Sequence, residues 1–375
     1  MKKLRLGVLF GGRSGEHEVS LVSAASVMRA LDPSRYEIIP IGIDKTGAWI
    51  TGTGALAALK SGERGMDVAG CFLPPDPTVH GLLVRREDGG LDEVRLDAVF
   101  PVLHGTGGED GSVQGLLELA EIPYAGSGVL GSALGMDKAL QKRVHTQAGL
   151  PVAPFASFSV KTWEERPDDV LRYLESGLGY PVFVKPPNLG SSVGISKARD
   201  REELVAAIDV ARRYDRSVIV EKSVEDAREI EVAVLGNDRA IASEPGEVVS
   251  SNEFYDYHAK YIDGASRTII PAELPDNIAE QVRELAIEAF KAIGCEGMAR
   301  VDFLVTRDLG HIVLNEVNTI PGFTSISMYP KLFEAAGIPY PELLNRLVDL
   351  AMERAAEKAA LLRAFDTGSD WYKEM

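Results

Sequence analysis

Two short apolar runs constrain this chain more than any other stretch: Val301-Asp302-Phe303-Leu304-Val305 and Ile312-Val313-Leu314-Asn315-Glu316-Val317-Asn318. Each embeds polar groups in a segment that otherwise reads as strand. Side chains along a strand alternate between faces, so Asp302 takes one side of its strand, and Glu316 and Asn318 share one side of theirs. Arg307-Asp308-Leu309-Gly310, between the runs, is a hairpin signal. An antiparallel pair in that register brings two carboxylates and an amide oxygen to one point, an all-oxygen set suited to Mg²⁺ beside a nucleotide's phosphates. A solvated hairpin face is the competing reading, and the hairpin alone does not decide between them.

Whole-chain quantities narrow the class. A length of 375 residues with 45% hydrophobic and 26% charged composition suits two or three compact domains. The net charge of -16, from 40 basic against 56 acidic residues, argues against a general nucleic-acid or membrane-surface binder. A local basic pocket for phosphates stays open, and small molecules are the expected partners. Cys71 and Cys295 lie far apart without metal-ligand spacing, so neither a disulfide framework nor a zinc site is expected, which fits a reducing cytoplasm. The apolar run after the basic start stops at Gly11-Gly12, too short for a signal-peptide core, and no run approaches membrane-spanning length.

Taken in order, the chain opens as βαβ: a strand at Leu6 to Phe10, a glycine-rich loop from Gly11 to Glu18, a helix at Val19 to Leu31 and a strand at Tyr36 to Ile43. Residues 44–97 carry little pattern beyond a hairpin around Glu87-Asp88-Gly89-Gly90, and read as an elaboration of the first domain. The strand Ala98 to Leu103 ends in the glycine-rich His104 loop and leads to a helix at Val113 to Leu119. Such a loop suits the ligand-binding edge of a parallel sheet, yet spacing alone makes His104 part of a structural turn. A domain boundary is expected near Gly126-Ser127-Gly128, and Met136-Asp137-Lys138 opens a further helix.

Strands at Phe155 to Val160, Pro181 to Lys185 and Val193 to Lys197 frame the loop KPPNLGSSVGI, whose backbone amides, hydroxyls and lysine suit a polyphosphate. Strict alternation from Glu229 to Gly236 puts Glu229 and Glu231 on one face, by default a solvated one. Ser250 to Gly264 reads as a long loop or lid. A helix at Asn277 to Ile293 precedes the hairpin. The chain closes on a long helix from Pro341 to about Ala364 with Leu343, Leu344, Leu347, Val348 and Ala351 as its core stripe.

These pieces together resemble the D-alanine:D-alanine ligases of the ATP-grasp superfamily. The resemblance covers nearly the whole chain and rests on separated motifs: GGRSGEHEVSL at 11–21, HGTGGEDGSVQG at 104–115, YAGSGVLGSALGMDK at 124–138, VKPPNLGSSVG at 184–194, FYDYHAKY at 254–261, GMARVDF at 297–303 and NEVNTIPGFTS at 315–325. It implies an α/β and α+β, three-domain ATP-grasp architecture. An N-terminal Rossmann-like (pre-ATP-grasp) domain spans 1–127, and a central subdomain with the Gly-Ser loop spans 128–223. A C-terminal subdomain over 224–375 holds the lid, metal site and oxyanion hole. The implied activity is ATP-dependent joining of two D-alanines through an acyl phosphate, with ATP and Mg²⁺ (Mn²⁺ as a substitute), two D-alanine sites, a homodimer and a cytoplasmic location.

By the same resemblance, Lys138 and Lys185 contact the ATP phosphates, Glu221 and Glu229 bind adenine and ribose, and Lys222, Ser192 and Asn315 also belong to the nucleotide site. Asp302, Glu316 and Asn318 ligate Mg²⁺. Lys260 of the lid approaches the transferred phosphoryl group, and Ser191, Tyr261 and Glu16 form a hydrogen-bonded triad in which Glu16 receives the first D-alanine's ammonium. Arg300 and the Gly322 N–H form the oxyanion hole, Ser327 holds the second D-alanine's carboxylate, and His104 lies near the first substrate. Tyr261 accompanies the dipeptide-forming members. A ligase of the same fold with D-lactate or D-serine as acceptor, or a non-catalytic nucleotide-binding regulator, are the alternatives.

Overall fold

The structure is a computed structural model that describes residues 2–190, 192–249, 267–324 and 326–362. Its backbone builds three sheets. The first begins with β1 (Leu4–Gly11), α1 (His17–Ala30) and β2 (Tyr36–Ile43), with β1 and β2 parallel from Leu4 opposite Tyr36 to Gly11 opposite Ile43. Leu6, Val8, Leu9 and Phe10 are all buried, as a parallel strand covered on both faces requires. Next come β3 (Trp49–Thr51), α2 (Ala55–Ser61), β4 (Ala69–Phe72), β5 (Gly81–Arg85), β6 (Leu91–Arg95), β7 (Ala98–Pro101) and α3 (Ser112–Leu119). The strand order is β6-β5-β4-β3-β2-β1-β7. Residues 44–97 thus extend the first sheet by antiparallel pairing, and the hairpin expected around Glu87 to Gly90 is the β5–β6 turn.

Two helices follow, α4 (Val129–Met136) and α5 (Lys138–Gln147). The Asp137 side chain accepts from the Ala139 and Leu140 N–H groups and so starts α5. The second sheet uses β8 (Phe155–Ser159), α6 (Val160–Glu165), α7 (Pro167–Gly177), β9 (Val182–Lys185), β10 (Ser196–Ala198), α8 (Arg201–Ala211) and β11 (Ser217–Lys222), in the order β10-β9-β11-β8. The strand expected at Val193 to Lys197 starts three residues late, because Ser192 and Gly194 have positive φ and keep the chain turning.

The third sheet contains β12 (Ala227–Gly236), β13 (Ile241–Ala242), β14 (Gly246–Val249), β15 (Arg267–Ile269), β16 (Gly297–Thr306) and β17 (Ile312–Asn318), ordered β15-β14-β12-β16-β17 with β13 on β12. α9 (Asp276–Ala292) precedes β16, and α10 (Met328–Ala335) and α11 (Tyr340–Ala359) end the described chain. Alternation along β12 sends Ile230, Val232 and Val234 against Val282, Ala286 and Phe290 of α9. Its opposite face carries Glu229, Glu231 and Ala233.

Helices α10 and α11 do more than cap the third sheet. Leu343, Leu344, Leu347 and Val348 share one core with Leu6, Val8 and Phe100 of the first sheet and Ala233 of the third. Each of these four α11 side chains is at most 1% exposed, and each contributes roughly 1.5–3 kcal/mol by burial. Phe100 meets Phe323 edge-on with centroids 5.6 Å apart. Beside this core Arg354 forms a buried clasp: it donates to the Gly126 carbonyl at 2.5 Å and the Tyr124 carbonyl at 2.8 Å, and pairs with Glu296 at 3.1 Å. The core and the clasp hold the first sheet's loops over the third sheet. Among the described residues no helix is long and apolar enough to cross a membrane.

Candidate active site

The hairpin β16–β17 places its polar groups as period-2 alternation requires. Asp302 lies opposite Glu316 and Arg300 opposite Asn318, and a register shift follows between Asp302 and Phe303. Arg300 grips Asp302 through two bonds of 2.7 Å each, from Nε and Nη2, and its Nε also lies 3.0 Å from Glu231 Oε2. Burial opposes the guanidinium's charge, but Asp302 and Glu231 outweigh it and hold Arg300 protonated well above the usual arginine value. The Asn318 amide donates to Asp302 Oδ2 at 2.9 Å. The expected solvated face of β12 is corrected here: Glu231 is buried at 6% exposure, because its cross-strand neighbours on β16 are Asp302 and, two residues along, Arg300.

Between the second and third sheets lies a cleft that includes Lys138, Lys185, Glu221, Glu229, Asp302 and Glu316 in its walls. Lys222, Ser192 and Asn315 also line it. Lys138, first residue of α5, reaches Glu316 Oε2 at 3.2 Å and donates to the Leu189 carbonyl at 2.8 Å. Burial disfavours its charge, and Glu316 more than offsets this, raising it above the usual lysine value. Lys185 pairs with Glu221 Oε2 at 3.0 Å, and Lys142 lies 3.4 Å from the same oxygen. Lys222 instead donates to the Tyr180 carbonyl at 2.8 Å.

A second cleft is lined by Glu16, His104, Glu109, Gly322 and Ser327. Glu16 stands just before α1, and its Oε2 is packed so closely that a Cβ at Gly190 would lie 2.8 Å away and one at Gly105 3.0 Å away. One carboxylate thereby abuts both the Gly-Ser loop and the His104 loop, and a side chain at either glycine would have to displace it. His104 is 5% exposed with Nε2 3.2 Å from Ser23 Oγ. Burial pulls its ring below the ordinary histidine value, partly offset by the charge of Glu16. Glu109 accepts from the Gly105 N–H at 2.7 Å, and burial together with the Glu16 charge pushes its carboxyl up to about 8. A Cβ at Gly322 would lie 2.6 Å from Ser327 Oγ. Ser327 sits at the N-cap of α10, where its hydroxyl accepts from the Thr324 N–H at 3.1 Å.

The two clefts share a wall made of Gly190, Glu231, Arg300 and Glu316. Residues 5–127 match the family model described as D-ala D-ala ligase N-terminus, and residues 144–349 the one described as D-ala D-ala ligase C-terminus. The chain belongs to the D-Ala-D-Ala ligase family. A relative named D-alanine--D-alanine ligase, from Caldicellulosiruptor bescii, is 51% identical over 361 residues, covering 96% of this chain and 98% of that protein. Among solved structures, the VanG D-Ala:D-Ser ligase from Enterococcus faecalis aligns with a TM-score of 0.84 at 37% identity, covering 93% of this chain and 100% of that one. The D-alanine-D-alanine ligase from Coxiella burnetii aligns with a TM-score of 0.81 at 38% identity, covering 96% and 98%. The ATP-grasp fold expected from the motifs is the fold of this family.

Most residues carried over from the ligase resemblance fall on the walls of the two clefts. Ser191, Lys260 and Tyr261 lie outside the described residues. Among the described residues no cluster of three His, Cys, Asp or Glu side chains is arranged to hold a metal. The expected donor set is of another kind, two carboxylates and an amide. It fits Mg²⁺, which takes one or two protein carboxylates and completes its shell with phosphate and water oxygens. Three charged residues of the site escape sequence reasoning: Lys142, Glu109 and Glu231. Lys142 stands four residues after Lys138 on the same helix face, and Glu231 two after Glu229 on the same strand face. Those spacings were the available signals, and only burial distinguishes such residues from solvated ones.

Proposed function

We propose that the protein is an ATP-dependent D-alanyl-D-alanine ligase that supplies a dipeptide for peptidoglycan synthesis. The observation that carries this reading is the wall shared by the two clefts, because a polyphosphate in one and an amino acid in the other would meet at Arg300 and Glu316. The first D-alanine lies with its ammonium at Glu16, and its carboxylate oxygen attacks the γ-phosphorus of ATP, releasing ADP and leaving an acyl phosphate. The second D-alanine's amine attacks the acyl carbon. Arg300 and the Gly322 N–H receive the negative charge that builds on the carbonyl oxygen, and collapse expels inorganic phosphate.

In this reading Lys138 and Lys185 balance charge on the phosphates, and Glu229 and Lys222, in the same cleft wall, border the rest of the nucleotide. Asp302, Glu316 and Asn318 would hold Mg²⁺, which when bound would offset charge on the phosphoryl oxygens. The N-terminus of α10, with Ser327 at its cap, suits the second D-alanine's carboxylate. On the family resemblance, Lys260 acts on the transferred phosphoryl group, and Ser191 and Tyr261 join Glu16 in the hydrogen-bonded triad. Three domains, 1–127, 128–223 and 224–375, a homodimer and a cytoplasmic location are the organisation we propose with it, on the family resemblance.

The test is release of phosphate on mixing the protein with ATP, Mg²⁺ and D-alanine. Release that depends on D-alanine supports the reading, and its absence sinks it. Product analysis with D-serine or D-lactate in competition separates the dipeptide ligase from relatives with other acceptors. Glu316→Gln is expected to abolish phosphate release with little change in melting temperature, since it removes a metal charge at a cleft wall. A collapse of the melting transition instead marks Glu316 as structural.

A further inference from the structure

Lys142 is absent from the roles assigned above, yet it is the most deeply buried charged side chain beside the nucleotide cleft. It is 2% exposed, and a lysine is left so far from water only when a partner holds it. Its partners are two: the Asn315 carbonyl on β17, which accepts at 2.9 Å, and Glu221 Oε2 at 3.4 Å. Lys185 contacts the same Glu221 oxygen at 3.0 Å. Two ammonium groups therefore meet one carboxylate oxygen, one more than its charge requires.

The two lysines are held differently. Lys142 is anchored to a strand carbonyl and has almost no surface. The side chain of Lys185 is 12% exposed, and its ammonium has Glu221 as its hydrogen-bond partner. Lys185 is thus the cation that can turn to an arriving phosphate while Glu221 keeps a counter-charge. The other Glu221 oxygen, Oε1, is buried with no hydrogen-bond partner. Ala153, Phe183, Ile195 and Leu314 give the wall of the same cleft apolar surface for a flat base, among its charged residues. An ionised carboxylate only accepts, so in such a slot it favours a heterocycle bearing an N–H donor and disfavours one presenting a carbonyl there.

We infer that Lys142 is a positioning residue for nucleotide recognition: it fixes the Glu221 carboxylate to read an amino group on the base, and so frees Lys185 for the phosphates. This rests on the ATP-dependent reading above. The opposed effects of burial and pairing agree with it. Burial opposes ionisation of Glu221, and Lys142 and then Lys185 outweigh it and lower the carboxyl below its usual value. Burial also lowers Lys142, with Glu221 offsetting part.

The experiment is calorimetric binding of ATP and of inosine triphosphate, which replaces the 6-amino group by a carbonyl, to the whole protein with Mg²⁺ and no D-alanine. Wild type is expected to prefer ATP by about 10-fold or more. Lys142→Met is expected to weaken ATP binding by about 10-fold and to bring the ATP-to-inosine ratio toward one. Lys142→Gln, which keeps a donor for the Asn315 carbonyl but no charge, gives the same loss and reads the effect should the methionine variant not fold. In a double variant with Glu221→Gln the two losses are expected not to add. A folded Lys142 variant with the wild-type ratio overturns the inference, as does a wild type that binds both nucleotides equally. A wild type that binds no ATP overturns instead the ligase reading on which it rests.

Discussion

Arg300 concentrates the chemistry of the shared wall in one side chain. Its guanidinium holds both oxygens of Asp302 and also reaches Glu231, so it stays placed between two carboxylates on neighbouring strands. A lysine presents a point charge and no planar fork. Arg300→Lys is therefore expected to reduce kcat by about 10²–10³-fold, the loss typical of one oxyanion donor, while the KM for ATP changes little. Steady-state kinetics with each substrate varied in turn check this; a loss below about 10-fold removes Arg300 from the oxyanion role. Asp302, Glu316 and Asn318 were legible in the sequence because a strand's period fixes which residues share a face. Glu231 was not, because only the neighbouring strand decides whether such a face meets water or an arginine.

At the scale of elements, α5 links the cleft to the core of the third sheet. Its first turn presents Lys138, and its last turn buries His145, fully inaccessible, with Nε2 3.1 Å from the Ala289 carbonyl of α9. Nδ1 is buried without a hydrogen-bond partner. Burial pushes the ring down to about 4 from an ordinary 6.5, so the unfolded chain binds the proton more readily between those values. The stability that the neutral ring allows is present above about pH 6.5 and is lost as pH falls through about 4. The loss across that window is on the order of 3 kcal/mol. Urea unfolding at pH 7 and pH 4.5 is expected to show a smaller acid loss for His145→Gln than for wild type; equal losses contradict this account. The helix was legible from its Met136-Asp137-Lys138 start. The use of His145 as a buried neutral contact was not, since α9 arrives from more than a hundred residues away.

For the whole molecule, registry between the sheets is what brings the two clefts together. Glu16 and His104 ride on loops of the first sheet, whereas Lys185 and Glu221 belong to the second and Arg300 and Glu316 to the third. The core shared with α11 and the Arg354 clasp fix the first sheet against the third. Arg354→Met leaves the Gly126 and Tyr124 carbonyls and Glu296 without their donor, and is expected to lower stability by about 2–3 kcal/mol. It is also expected to raise the KM for D-alanine more than that for ATP, because the nucleotide cleft is built without the first sheet. Equal effects on both constants contradict this division of labour.

The sequence by itself determined the local pieces: the βαβ opening, the hairpin with its oxygen donors, the Gly-Ser loop, the cap of α5 and the core stripe of α11. These follow from side-chain period and turn chemistry, which act over a few residues. The tertiary structure decided which distant charges meet: Lys142 with Glu221, Glu231 with Arg300, Glu109 beside Glu16, Arg354 against Gly126. It also placed residues 44–97 as an extension of the first sheet, and made α11 common to two sheets. Burial and ion pairing depend on what arrives from elsewhere in the chain, and local pattern carries no record of that arrival.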